Sequence, residues 1–211
     1  MKRQELMGEQ CIAFAGNRRI ASGEVAEVAR KTKQALDLGE AGPVLIFDEV
    51  TSRPVEVDFR GTLDEVVARL TPRTGASGGS GTTGEKRGPG RPKLGVIPRE
   101  VTLLPRHWEW LNEQPGGASV ALRKLVEEAR RASPAKDQAR QSQESVHRFM
   151  HAMAGNFPGF EEASRAFYAG QEGMFRELTE TWPPDVRNHA RKIVTAAWRD
   201  QEAAAQSAGL K

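Results

Sequence analysis

Residues 10–38, QCIAFAGNRRIASGEVAEVARKTKQALDL, change period halfway along, and that change decides the fold class. QCIAFA is an almost unbroken apolar run, and RRIA follows it after Gly16-Asn17, a pair that tolerates the positive φ of a tight hairpin turn. Ser22-Gly23 then open a helix. Val25, Val28, Ala29, Thr32 and Leu36 recur at helical spacing, and Gly39 supplies the stop. The stretch predicts strand, turn, strand, helix.

Working outward, PVLIFD (43–48) and PVEVDF (54–59) read as two further strands joined by EVTSR. Thr62 and Glu65 stand at capping-box spacing ahead of VVARL, which predicts a second helix. The order ββαββα over residues 1–70 predicts an α+β unit, a small antiparallel sheet with two helices on one face. Beyond it, TPRTGASGGSGTTGEKRGPGRPKLG (71–95) has no apolar periodicity, and its Gly, Ser and Thr bury too little surface to offset ordering entropy. Residues 71–98 are therefore expected to form a flexible linker.

A strand-helix-helix block is expected over 99–134: REVTLL as a strand ended by Pro105, RHWEWLNEQ as a helix, PGG as a turn and ASVALRKLVEEARR as a second helix. Ser119 is placed to cap that second helix, and Leu122, Leu125, Val126 and Ala129 share one face of it. Residues 135–211 read as a helical region. Ser133-Pro134 open its first helix, which runs to Ala154 and is polar throughout its first half. Helices on Phe160, Ala163 and Phe167, on Met174, Phe175 and Leu178, and on Val186, Ala190, Ile193, Val194, Ala197 and Trp198 complete an aromatic-rich array.

With 211 residues, 38% hydrophobic and 28% charged, the chain is long enough for one or two modest cores. It contains no apolar run near the roughly 18 to 20 residues that cross a bilayer, and MKRQELMGEQ lacks the apolar stretch of a signal peptide, so a cytoplasmic location is expected. The single cysteine, Cys11, cannot close an intramolecular disulfide and sits in CIAFA as a small buried hydrophobe.

The net charge of +3 matters less than its position. Residues 1–72 hold ten basic and twelve acidic side chains, 100–134 hold five of each, and 135–211 ten of each. Residues 73–99 hold six basic ones, Arg73, Lys86, Arg87, Arg91, Lys93 and Arg99, against Glu85 alone. The whole positive excess falls in the linker region.

Within it, Gly90-Arg91-Pro92, flanked by Lys86, Arg87 and Lys93, resembles an AT-hook. That resemblance implies an extended core lying in the narrow minor groove of A·T-rich DNA, with glycine allowing close approach, proline holding the chain extended and guanidinium groups entering the negative potential. Pro89 departs from the motif by standing where its first core arginine belongs, so Arg87 has to reach in from two residues earlier.

The block 99–134 resembles the ribbon-helix-helix repressors, a likeness carried by Pro105, Trp108, Leu111, Gly116-Gly117, Ser119 and the Leu122, Leu125, Val126 face. The resemblance implies a homodimer whose paired strands enter the DNA major groove. In that register Arg99, Val101 and Leu103 face the groove while Glu100, Thr102 and Leu104 face the core. Base edges are read by hydrogen bonds, which leaves Arg99 as the one polar reader.

Other clusters have plainer readings. Trp108 and Leu111 are expected in a core with Trp110 as an interface anchor, and the alternative is a stacking platform of His107 and Trp110 for single-stranded nucleic acid. His147 and His151, one helical turn apart, lack a third ligand at usable spacing and read as a surface pair. No Walker loop, nucleophile elbow, dinucleotide fingerprint or paired-cysteine motif occurs, and GASGGSG lacks the lysine of a phosphate loop. No catalytic residue, metal site or cofactor is expected.

Taken together, NRRIASG and VLIFD, the basic linker, EVTLLPRHWEWL with PGGASVALRKLVEEAR, and FYAGQEGMF resemble a bacterial family catalogued as domain of unknown function 2239. The residues favour a non-enzymatic DNA-binding protein, a transcriptional regulator or nucleoid-associated, contacting DNA through Lys86, Arg87, Gly90, Arg91, Pro92, Lys93 and Arg99. The alternative is a protein–protein interaction or scaffold protein with no nucleic-acid role.

Overall fold

β1 (Gln10–Ala15) and β2 (Arg18–Glu24) pair antiparallel around Gly16-Asn17, with Ala15 opposite Arg18 and a bulge between Ala13 and Phe14. Gly16 carries φ 53°, the left-handed value that a type II′ hairpin requires at its first central position. This is a computed structural model, and it describes residues 10–40, 42–70 and 99–209. Ser22 and Gly23 still pair within β2, opposite Ile12 and Cys11, so helix α1 (Val25–Asp37) starts two residues later than the sequence suggests, and its N-cap residue, Glu24, makes no side-chain cap hydrogen bond.

β3 (Val44–Asp48) pairs antiparallel with the other edge of β1, giving the sheet order β2-β1-β3. The fourth strand expected over 54–59 does not form. Pro54 makes one bridge to Phe47 and the Val55 N–H donates to the Ile46 carbonyl at 2.8 Å, after which pairing stops. Val55, Val57 and Phe59 still turn half-buried side chains onto the sheet cluster of Cys11, Ala13, Val25, Val28 and Ile46. Arg69 holds the following backbone by donating to the Asp58 carbonyl at 2.9 Å and to the Arg60 carbonyl. The alternation of PVEVDF is thus real, but it lines a core edge without a ladder.

Helix α2 (Leu63–Leu70) opens on the expected capping box: the Thr62 N–H donates to the Glu65 carboxylate at 2.8 Å and the Glu65 N–H to the Thr62 hydroxyl at 3.3 Å. It packs against α1.

The second face of β1 is covered from the other end of the chain. Helices α5 (Pro134–Ala154), α6 (Phe160–Tyr168), α7 (Glu172–Leu178) and α8 (Pro184–Gly209) form an array in which Ile12, Phe14 and Phe47 share one core with Phe149, Met150, Phe167, Phe175, Trp182 and Val194. Trp182 and Trp198 each satisfy their indole N–H on a carbonyl, Pro158 and Phe167, both at 3.0 Å. The Arg19 N–H donates to Asp185 at 2.8 Å and ties β2 to the start of α8.

The described residues up to 70 and residues 134–209 form one compact unit, and residues 99–133 form a second. Sequence segmentation places 1–70 and 135–211 in separate regions, whereas their apolar side chains close a single core. CIAFA carries the reason: a strand buried on both faces reads as a continuous apolar run instead of an alternating one. The fold is α+β, a small antiparallel sheet with a predominance of helix.

Candidate functional site

In the second unit, helix α3 (Pro105–Glu113) and helix α4 (Gly117–Ala132) form a helical hairpin. Gly116 caps α4 in the left-handed conformation, φ 89°, and a Cβ there would lie 3.1 Å from Val120. Pro105 sits in the first turn of α3, where its missing N–H leaves nothing unpaired. Ser119 lies inside α4 and does not cap it, because the helix begins at Gly117.

Helix lengths govern what this hairpin buries. At 1.5 Å per residue α3 is about 14 Å long and α4 about 24 Å, so α3 covers only the half of α4 nearest the turn. Leu111 and Ala121 are buried there, and Trp108 and Leu122 are half-buried. Past that point the stripe is bare: Leu125 and Val126 are 43% and 57% exposed, and Ala129 is exposed as well. Trp110 is also exposed, as is His107, on the outer face of α3.

The residues expected to meet DNA divide in two. Lys86, Arg87, Gly90, Arg91, Pro92 and Lys93 lie outside the described residues, as does the linker 71–98. Arg99 is described and exposed. The strand expected after it does not form within the chain: residues 99–104 carry no ladder pairing, and the repressor ribbon draws its pairing from a second copy. The inward and outward sets also differ at the end of the segment. Leu103 is half-buried while Leu104, which caps α3, is exposed, because helix entry at Pro105 turns Leu104 out of the alternation.

The first unit holds features that motif reading missed. His189 lies three residues after Val186 and four before Ile193, on the apolar stripe of α8, and it is buried against Phe14 and Phe149. Its Nε2 has no hydrogen-bond partner among the described residues, and burial, aided by Lys192, pushes its pKa down to about 4. That stripe was readable, and a histidine within it is the signal. His147 and His151 stack on an exposed face of α5 with ring centroids 6.0 Å apart.

A crevice of about 220 Å³ opens where the loop after β3 meets α5 and α8. The loop is shaped by Asp48, whose carboxylate accepts from the Thr51 N–H and hydroxyl, both at 2.6 Å. Ser52 follows at φ 51°, buried, with its hydroxyl 2.8 Å from that of Ser145. Left-handed backbone at a non-glycine residue persists where its surroundings hold it, and the Ser145 hydroxyl and the Arg148 guanidinium, which donates to the Thr51 carbonyl at 2.5 Å, do so. Lys192 pairs with Glu49, and Asp200 accepts hydrogen bonds from Ser142 and, at 3.2 Å, from Gln138. The polar first half of α5 thus faces this crevice.

Comparison with known proteins places residues 10–194 under a family model described as an uncharacterized protein conserved in bacteria, domain of unknown function 2239. No curated protein and no solved structure matches the chain.

Proposed function

Since the chain belongs to that bacterial family, whose description assigns no activity, we propose from its own residues that it is a non-enzymatic DNA-binding protein, a transcriptional regulator or nucleoid-associated. One observation carries the reading. Residues 73–99 hold six basic side chains against one acidic, while the remainder of the chain is balanced or slightly acidic. Charge collected in one short segment is the electrostatic footprint of a phosphate-binding element.

In this reading Lys86, Arg87, Arg91 and Lys93 neutralise phosphates, Gly90 and Pro92 let an extended backbone approach the minor-groove floor, and Arg99 extends the basic surface. The bare stripe of α4 supports a homodimer through residues 99–134. Leu125 and Val126 have no cover within the hairpin, and in a ribbon-helix-helix dimer the second copy supplies both that cover and the strand that residues 99–104 lack.

The same exposed apolar stripe favours a second reading, a scaffold whose hairpin docks another protein and whose linker is only a tether. One gel-shift comparison separates the two. Full-length protein and a version lacking residues 85–95 are titrated onto A·T-rich and G·C-rich duplexes, with retention of the A·T-rich duplex by the full-length protein alone as the expected result. An unchanged shift after the deletion removes the hook, and no shift with either protein leaves the scaffold.

A further inference from the structure

The crevice between the loop after β3, α5 and α8 contains three charged side chains, and only two of them neutralise each other. Lys192 is paired with Glu49. Asp200, half-buried, is held by two neutral donors, the Ser142 hydroxyl and the Gln138 amide, and no cationic side chain among the described residues pairs with it. A carboxylate fixed in this way inside a concavity retains a full unmatched charge, and the crevice as a whole is one unit negative.

We propose that this crevice binds a small organic cation, a primary amine on a short alkyl chain, through an ammonium–Asp200 ion pair. Both donors engage the Asp200 Oδ2, which leaves Oδ1 to accept from an incoming ammonium. Val50, Ile193 and Ala196 give the wall beside it apolar surface for methylene groups. At about 220 Å³ the space lies below the roughly 300 Å³ at which pockets for larger ligands begin, so the ligand is small. An inorganic divalent cation fits less well, because Ser142 and Gln138 already present hydrogens, not lone pairs, to the carboxylate. The inference does not depend on the DNA reading.

Isothermal titration of the full chain with n-butylamine, 1-butanol and MgCl2 at fixed ionic strength tests it. Saturable one-to-one binding of n-butylamine is expected with a dissociation constant of about 1 mM or tighter. Neither 1-butanol nor Mg²⁺ is expected to bind. Asp200→Asn is expected to weaken n-butylamine at least about tenfold. Ala196→Leu keeps the carboxylate, fills the adjacent space and is expected to abolish binding, so the inference can be judged even if Asp200→Asn fails to fold. No saturable n-butylamine binding, equal binding of 1-butanol or Mg²⁺, or full affinity in Ala196→Leu overturns it.

Discussion

The His189 imidazole meets the Phe149 ring edge to face, with centroids 4.5 Å apart and planes at 65°. Its other neighbour is Phe14, at 6.0 Å, so a titratable ring is set where β1 of the sheet meets α5 and α8. Burial is the main cause of its low pKa. The cationic Lys192 and Arg19 push in the same direction, and only Glu49 opposes them.

Stability should therefore depend on this ring in acid. The unfolded chain takes up the proton near pH 6.5 while the folded chain resists it down to about 4, so the contribution is complete above 6.5 and lost as the pH falls through that window. The full difference corresponds to about 3 kcal/mol. Urea unfolding at pH 7, 5 and 4 should show His189→Leu losing less stability over that range than the parent chain. Parallel losses would remove His189 as the source.

Phe14 packs on Phe149 at 5.6 Å and on Phe47 at 6.5 Å, joining the N-terminal sheet to the C-terminal helices. Phe14→Ala should cost about 3 to 5 kcal/mol, the range for deleting a buried aromatic. The loss should appear in the helical circular-dichroism signal as one lowered transition. Helices that melt at the parent midpoint in the variant would show that the sheet contributes nothing to them.

Four phosphate contacts from Lys86, Arg87, Arg91 and Lys93 predict that log K for DNA falls against log salt with a slope of about −3.6. Arg87→Ala/Arg91→Ala should reduce the slope to about −1.8. Fluorescence anisotropy across a salt series measures both. A double variant with unchanged affinity and slope excludes these two arginines from the contact.

Val126 is more than half exposed on α4, so Val126→Asp should alter the stability of an isolated chain by no more than about 0.5 kcal/mol. If two copies meet there, the same change buries a charge. Sedimentation equilibrium of the full chain should show a dimer for the parent and a monomer for the variant. A parent chain that stays monomeric at every concentration rules out the ribbon-type homodimer.

Much of this fold is legible in the sequence because local signals coincide. Gly16-Asn17 ends one strand and starts another, Thr62 and Glu65 announce α2, and Pro134 and Pro184 stand at the starts of α5 and α8. What escapes is the pairing of distant segments. Ile12 and Phe14 point to one face of β1 and Cys11 and Ala13 to the other, and nothing local says that the first pair is covered by helices more than 130 residues away. The alternation of Val55, Val57 and Phe59 has the period of a strand, yet the same period serves an extended segment that buries one side without a ladder. For the candidate sites, the basic segment is wholly a property of sequence. The crevice at Asp200 is the opposite case, since Glu49, Ser142 and Asp200 are remote in the chain and meet only through the tertiary fold.

Because the core that encloses β1 takes residues from both sides of the second unit, the segment between residues 70 and 134 leaves and re-enters the same folded body. It is an insertion, not a bridge between independent neighbours. A single backbone cut anywhere within it would leave two fragments that remain associated through Ile12, Phe14 and Phe47 on one side and Phe149, Trp182 and Val194 on the other.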